Sequence, residues 1–439
     1  FFQSVTVFRK LLIFLYLNNM KNIKKIVSII LPDGRMIETV LDPVTGQTNF
    51  AVWENGKIKI INKLKDQNGQ LLYPISASNT LLKSKLISFS SEPVRYENID
   101  ILLFEIQNFI HRYVDLSEEF EKIASYYILL SWVYDRFTEI PYLRKIGDFG
   151  SGKTRFLKVL GAICYKGVFA SGGTSTAAIF HIIDKFQGTL IIDEADFIFS
   201  DEKSAVAKIL NNGNASGFPI LRVSQKNNGQ FTPISYTVFC PKIIASRKNY
   251  TDQALESRFI TETFRPTKIR NNIPITLPDA FEEESLRLRN NLLTYRFKMF
   301  NKIKKYIIPD NIPLEGRISQ IFSPLLSVVF KQEDREHILE IASQYSNELK
   351  NDRSQNIEAQ VLSIIKQLQN EKQILSIKNI TNEFFVQFAD YYNKKISGKW
   401  IGFIIRKKLN LRTIRRQNGY IVEPGQFKKI KEYLERYGL

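Results

Sequence analysis

Cysteine is nearly missing from this 439-residue chain, and histidine and methionine are scarce. There are two cysteines, three histidines and three methionines. Cys164 and Cys240 lie in apolar segments and read as buried thiols, while His111, His181 and His337 are far apart in the chain. A structural zinc site needs four closely spaced soft ligands and a disulfide scaffold needs several cysteine pairs, so neither is expected. Long apolar runs are also missing. The run LLIFLYL at 11–17 follows Arg9 and Lys10 but is far too short to span a bilayer, and no small-residue cleavage site comes after it. Residues 1–19 are therefore expected to be an uncertain leader, either upstream translation or a partial reading frame, ahead of Met20. A cytoplasmic protein with no membrane partner is expected.

Acidic residues are too few to balance the basic ones. Lys and Arg number 62 against 44 Asp and Glu, a net charge of +18. A surplus of this size predicts an anionic partner. It is also uneven: residues 355–439 hold 16 Lys and Arg against 7 Asp and Glu, half of the surplus in a fifth of the chain. A general lysine bias would spread it evenly. Hydrophobic content of 44% and charged content of 24% are those of an ordinary globular protein, which excludes disorder and a membrane bundle. The length fits about three domains.

Residues 20–95 read as a small β-rich domain. Asn55-Gly56 and Asn68-Gly69 favour tight hairpins because both residue types tolerate positive φ. SFSSEP at 88–93 reads as a linker. Residues 96–140 read as two helices broken at Asp115-Leu116-Ser117. From 141 to 268, short apolar strands alternate with helices, the pattern of a parallel α/β sheet. Residues 269–350 are helical. A long helix is expected from Asp279, with Glu282, Glu283 and Glu284 in its first turn and Lys302, Lys304 and Lys305 in its last, both ends complementing the helix dipole.

The strongest motif is Gly147-Asp148-Phe149-Gly150-Ser151-Gly152-Lys153-Thr154, which fits G-x-x-x-x-G-K-[ST] between a strand-like LRKI and a helix-like FLKVL. Its glycines let backbone N–H groups converge on phosphate oxygens. Lys153 would neutralise the β- and γ-phosphates, and the Thr154 hydroxyl would hold Mg²⁺. Downstream, Thr189-Leu190-Ile191-Ile192-Asp193-Glu194 is an apolar run ending in two carboxylates. Asp193 would bind Mg²⁺ through water and Glu194 would polarise the attacking water. Residues 193–196 spell Asp-Glu-Ala-Asp, but no second helicase core with an Arg-rich motif follows, so a DEAD-box reading is rejected.

With these motifs the chain resembles the AAA+ ATPases over about residues 140–345. TVFCPKIIAS, residues 237–246, looks like their next core strand and puts Ser246 at the polar sensor 1 position. Ala254-Leu255-Glu256-Ser257-Arg258-Phe259 is similar to the family's Ala-Leu-x-Ser-Arg-Phe element. The resemblance implies that Arg258 reaches a neighbouring subunit's γ-phosphate; an ion pair within the subunit is the alternative. Arg317 is a candidate sensor 2 arginine of the helical lid. The resemblance implies ATP and Mg²⁺ as cofactors and a homo-oligomeric ring, a hexamer.

Two segments point to DNA. FPILRV-SQKNNGQ-FTPISYTVF has two β-type runs around a polar tip, and a hairpin before sensor 1 resembles the pore hairpin of superfamily III and minichromosome-maintenance helicases. Lys226 would touch phosphate at the tip. Arg222 on the first strand could also face nucleotide or a neighbouring subunit, and a plain surface hairpin is the alternative. Residues 355–439 look like a winged helix: helices, then a hairpin wing. Lys399, Arg406, Lys407, Arg412, Arg415 and Arg416 would contact DNA, with Lys394, Lys395 and Lys408 in the same acid-free stretch. A solvated basic face is the alternative.

The expected fold is therefore an α/β P-loop AAA+ core with a helical lid, preceded by a small β-domain and helices and followed by a winged helix. The expected function is a Mg²⁺- and ATP-dependent motor on DNA, a helicase or translocase in replication or mobile-element maintenance, with a primase or replication initiator as candidate partner. No primase-type acid cluster is evident in the short N-terminal β-domain, so primer synthesis by this chain is not expected. The competing reading is an AAA+ switch or loader that binds DNA under ATP control without separating strands.

Overall fold

The structure is a computed structural model that describes residues 23–171, 173–193, 201–225, 231–250, 252–263, 270–354, 356–388, 396–417 and 419–439. The chain forms two compact units. The first runs to Asp310 and includes Gly316–Ile338; the second joins Asn311–Glu315 to Leu339–Leu439.

The first unit opens with seven strands in two sheets. β2 (Ser28–Ile30), β3 (Met36–Leu41), β4 (Thr48–Glu54) and β5 (Lys57–Ile61) make an antiparallel sheet in that order, and β1 (Ile23–Ile26), β7 (Leu71–Pro74) and β6 (Leu64–Lys65) make a second in that order. Asn55 and Gly56 both take positive φ at the β4–β5 turn (50° and 79°), as their hairpin signature requires. Helices Ile99–Tyr113 and Glu118–Ser131 follow, capped by Asn98 and Ser117.

The central sheet is wholly parallel. Its strands are β8 (Tyr142–Ile146), β9 (Val168–Ala170), β10 (Leu190–Ile192), β13 (Lys242–Ser246) and β14 (Phe259–Thr263), in the spatial order β14-β8-β13-β10-β9. β8, β10 and β13 are buried along their whole length, which is why they read as unbroken apolar runs rather than alternating ones. The chain is thus an α/β protein built around a five-stranded parallel sheet. β11 (Ile220–Gln225) and β12 (Phe231–Tyr236) form a separate antiparallel hairpin just before β13.

The 88–93 segment is not a free linker. Ser88 N–H donates to Gly167 O, Leu41 N–H to Ser90 O, and the Ser90 hydroxyl to Arg289 O. Phe89 and Ser90 are buried. Ser and Pro gave the segment a loop composition, but its polar groups are paired with the core. The β-domain is also tied on by a buried ion cluster. Glu38 on β3 accepts from Arg296 Nε at 2.8 Å and pairs with Lys166 Nζ at 3.0 Å, and Arg296 also pairs with Asp135. Arg296 belongs to the long helix Ala280–Met299. That helix is preceded by Asp279 as expected but ends at Met299, so its last-turn cations are Arg296 and Lys298, and Lys302, Lys304 and Lys305 lie beyond it. Ile303, among those lysines, is buried.

The second unit is helix Ile357–Asn370, helix Ile377–Phe388, helix Gly398–Phe403 running on as a π-turn to Lys408, hairpin β15 (Thr413–Arg416) and β16 (Gly419–Val422), and a closing helix Phe427–Tyr437. Leu362, Ile365, Ile380, Phe384, Ile401 and Ile405 belong to its own core.

Candidate functional site

The phosphate loop leaves β8 at its C-terminal end, the end at which open parallel sheets hold ligands. Gly150 and Gly152 take φ of +79° and +76°, conformations that L side chains rarely adopt, so these two positions need glycine. Lys153 opens the helix Lys153–Ile163. Its Nζ donates to Gly147 O at 2.6 Å and Asp148 O at 2.7 Å, which holds the ammonium over the loop. Ser151 is buried, while Phe149 is fully exposed.

The loop strand and the acidic strand are not neighbours. β13 lies between β8 and β10, and Ser246 at its end pairs in register with Ile146. Gly147 N–H donates to Ser246 O at 3.3 Å. The Thr154 hydroxyl donates to Asp193 Oδ2 at 2.8 Å. Ser246 Oγ is buried and finds no hydrogen-bond partner among the described residues. An alcohol and a carboxylate joined in front of a lysine-bearing glycine loop, with an orphaned hydroxyl beside it, form a donor set suited to a divalent cation and phosphate oxygens. Glu194 lies outside the described residues.

A cavity of about 630 Å³ opens beside the loop. Ser151, Gly152 and Arg155 form one wall, and His111, Leu116 and Ile275 belong to the others. Lys145, the residue before the last of β8, lines it too and donates to Asp115 O at 2.8 Å; burial pushes its pKa below the usual lysine range. Arg270 closes one side through Asp115 and Glu121. No local pattern marks this cavity, because its walls come from three segments more than a hundred residues apart in places.

Arg258 sits at the other end of the sheet. Its carbonyl accepts from Tyr142 N–H, at the start of β8, whereas the phosphate loop follows the end of that strand. Five strand residues separate the two, about 16 Å at ~3.3 Å per residue. The guanidinium donates to Asn214 Oδ1 at 2.9 Å, to Asn211 Oδ1 at 2.7 Å and to Ala254 O at 2.6 Å. These partners are amides and a carbonyl, not the carboxylate of an ion pair. Burial, with Arg317 adding repulsion, lowers its pKa. Arg317 is therefore near enough to repel it, and Arg258 stands away from its own chain's loop. The short helix Gln253–Glu256, just ahead of Arg258, is anchored to β8. Arg144, 1% exposed, pairs with Glu256 and donates to Thr261 Oγ1, and its guanidinium stacks over Phe259 at 4.6 Å.

The hairpin expected before sensor 1 is present as β11–β12, and its turn, with Lys226, lies outside the described residues. Arg222 is exposed on β11 with its guanidinium 5.0 Å from the Phe180 ring of helix Thr176–Phe186. The opposite face carries Leu221, Val223 and Phe231, each at least two-thirds exposed. In the second unit Lys399, Arg406, Lys407, Arg412, Arg415 and Arg416 are all exposed. Lys408 pairs loosely with Glu358, and Lys394 and Lys395 lie outside the described residues. No described helix is long and apolar enough to cross a membrane.

No protein-family model matches the chain, and no curated protein matches it. Among solved structures, an apo structure of the NrS-1 C-terminal region is similar over 88% of this chain and 95% of that one, at 14% identity and a TM-score of 0.35. SCCmec type IV Cch, described as an active helicase, is similar over 95% of this chain and 81% of that one, at 11% identity and a TM-score of 0.43. A full-length minichromosome-maintenance homologue from Methanopyrus kandleri is similar over 74% and 80%, at 10% identity and a TM-score of 0.37. Likeness at this level says nothing of what the chain does.

Proposed function

We propose that the chain is a Mg²⁺-dependent ATPase of the AAA+ type that works as an oligomeric ring on DNA, as a helicase or translocase. The observation that carries the ATPase is the Thr154–Asp193 pair in front of the Lys153 loop. Bound Mg²⁺ would screen the phosphate charge, held by Thr154 and Asp193. Lys153 and the loop N–H groups would hold the phosphates, and Ser246 would donate its unpaired hydroxyl to the γ-phosphate or the water. Glu194 would take the proton of the attacking water. The cavity beside the loop would receive the base.

Arg258 supports a shared site. Standing about a strand's length from its own loop, it would act on a neighbour's nucleotide or on none. Arg317, beside it, would act on the same side. An arginine supplied across an interface stabilises transition-state charge and makes hydrolysis depend on assembly. The β11–β12 hairpin and the basic second unit, read as a winged helix, are the parts that would hold DNA.

The test is ATP hydrolysis by the full chain with and without DNA at two salt concentrations, with Glu194→Gln as blank. Stimulation by DNA that weakens with salt and vanishes in the blank is expected. Hydrolysis indifferent to DNA would favour the switch or loader, and no hydrolysis above the blank would remove the ATPase.

A further inference from the structure

We propose that the second unit takes one unpaired nucleotide of a DNA strand into a cavity between helix Ile377–Phe388 and the β15–β16 hairpin, with the base stacked on Tyr420. This rests on the reading that the chain binds DNA, and is independent of the ATPase.

The cavity measures about 550 Å³, within the usual range for small-molecule-sized sites. Its lining holds three cations, Lys378, Lys399 and Arg406, and no acid among the described residues. Thr381 and Asn382 add side chains able to bond a base edge. Tyr420 forms part of the wall and is half exposed, so a ring face is open to a partner.

Gly398 is part of the lining, where an added Cβ would make only ordinary contacts, from 3.7 Å. At Gly402 it would meet the Arg406 guanidinium at 3.0 Å, so a side chain there would press on the guanidinium. The Arg406 guanidinium carbon then sits 5.9 Å from the Tyr420 ring centroid. A planar cation and an aromatic ring side by side in a pocket lined by cations suit a flat base with its phosphate. In a duplex the bases are stacked on one another and out of reach of such a pocket, whereas an unpaired base brings a free π-face. An acidic peptide would satisfy the cations but would leave the ring without a planar partner.

The test uses the full chain and two DNA probes, a fluorescent oligothymidine strand and a duplex of the same length. Tyr420→Ala should weaken single-strand binding about tenfold, the scale of one lost stack, with duplex binding within twofold of wild type. Tyr420→Phe should restore it, since the ring face is kept. A strand carrying 5-iododeoxyuridine should crosslink wild-type protein at Tyr420, which reads the pocket apart from any other strand-binding surface. Equal losses for strand and duplex, no loss for either, or crosslinks that map only elsewhere would overturn the proposal and leave the DNA reading standing. Failure of wild type to bind either probe would overturn both.

Discussion

Thr154 Oγ1 donates to Asp193 Oδ2 at 2.8 Å although the strands that lead to the two residues, β8 and β10, are separated by a third. Both side chains therefore converge in front of β13, where a divalent cation would exchange this hydrogen bond for two oxygen ligands. Asp193→Asn keeps the size and removes the charge. It should cut turnover by about 10²–10³ while fluorescent nucleotide still binds. Lys153→Ala should instead lose the nucleotide itself. Wild-type turnover in Asp193→Asn would mean that the pair has no catalytic purpose.

The position of Arg258 makes a sharper claim than its identity. Arg258→Ala should lower turnover by about 10³ or more and leave nucleotide binding nearly intact. The decisive experiment mixes subunits. Arg258→Ala and Lys153→Ala chains should each be inactive alone, but a mixed assembly would contain interfaces that join an intact loop to an intact Arg258. Activity should reappear on mixing. Mixed assemblies that form, as judged by a pull-down between differently tagged chains, yet stay inactive would sink the shared site.

Ser246 is a place where function and stability pull apart. Its buried hydroxyl has no partner among the described residues, which costs a protein about 1–3 kcal/mol. Ser246→Ala should therefore raise the melting temperature of the nucleotide-free protein and slow hydrolysis. A thermal melt and a steady-state assay on the same preparation check both signs. A lower melting temperature would show that the hydroxyl is satisfied in solution.

What could be seen in the sequence was local. The phosphate loop, the apolar run to Asp193, the hairpin before β13 and the helix after Asp279 each declare themselves within a dozen residues, because backbone geometry and burial act at that range. The wall of the cavity and the partners of Arg258 did not. Asn211 and Asn214 lie on the far side of the hairpin from Arg258, and no pattern in an isolated chain marks an amide as an arginine's partner. The 88–93 segment misled for a similar reason: its polar residues look solvated until the helix carrying Arg289 and Asn290, two hundred residues on, is folded against them. Glu38 gave no hint of burial either, being the one acid in the strand MIETVL.

Cys164 offers a test in the alkaline range. Burial pushes its thiol from an ordinary value of about 9 up to about 12. Below pH 9 both folded and unfolded chains keep the proton, and nothing is gained or lost. Between pH 9 and 12 only the unfolded chain releases it, so the folded state binds more protons and stability falls as pH rises. Urea denaturation at pH 8, 9.5 and 11 should show a steeper loss for wild type than for Cys164→Ala. Tyrosines titrate in the same range, so the difference between the two proteins is the quantity to read. Equal slopes would place the thiol in contact with water.

The buried Glu38–Arg296 pair bears on why the β-domain is there. Each side chain is 3% exposed, and Arg296 is held well above the usual arginine range despite burial, because Asp135, Tyr165 and Glu38 surround it. Removing one member leaves the other charged and dry. Glu38→Gln and Arg296→Met should each cost about 3–5 kcal/mol. The double variant should cost less than the sum, since no unpaired charge remains from that contact, though Lys166 and Asp135 each lose a partner. A denaturation cycle over the four proteins reads the coupling. A coupling near zero would mean that water reaches the pair and that the β-domain comes away from the long helix in solution. A large coupling would mean that it is built into the ATPase unit, and that truncating the chain before residue 96 would expose Arg296 and unfold the motor.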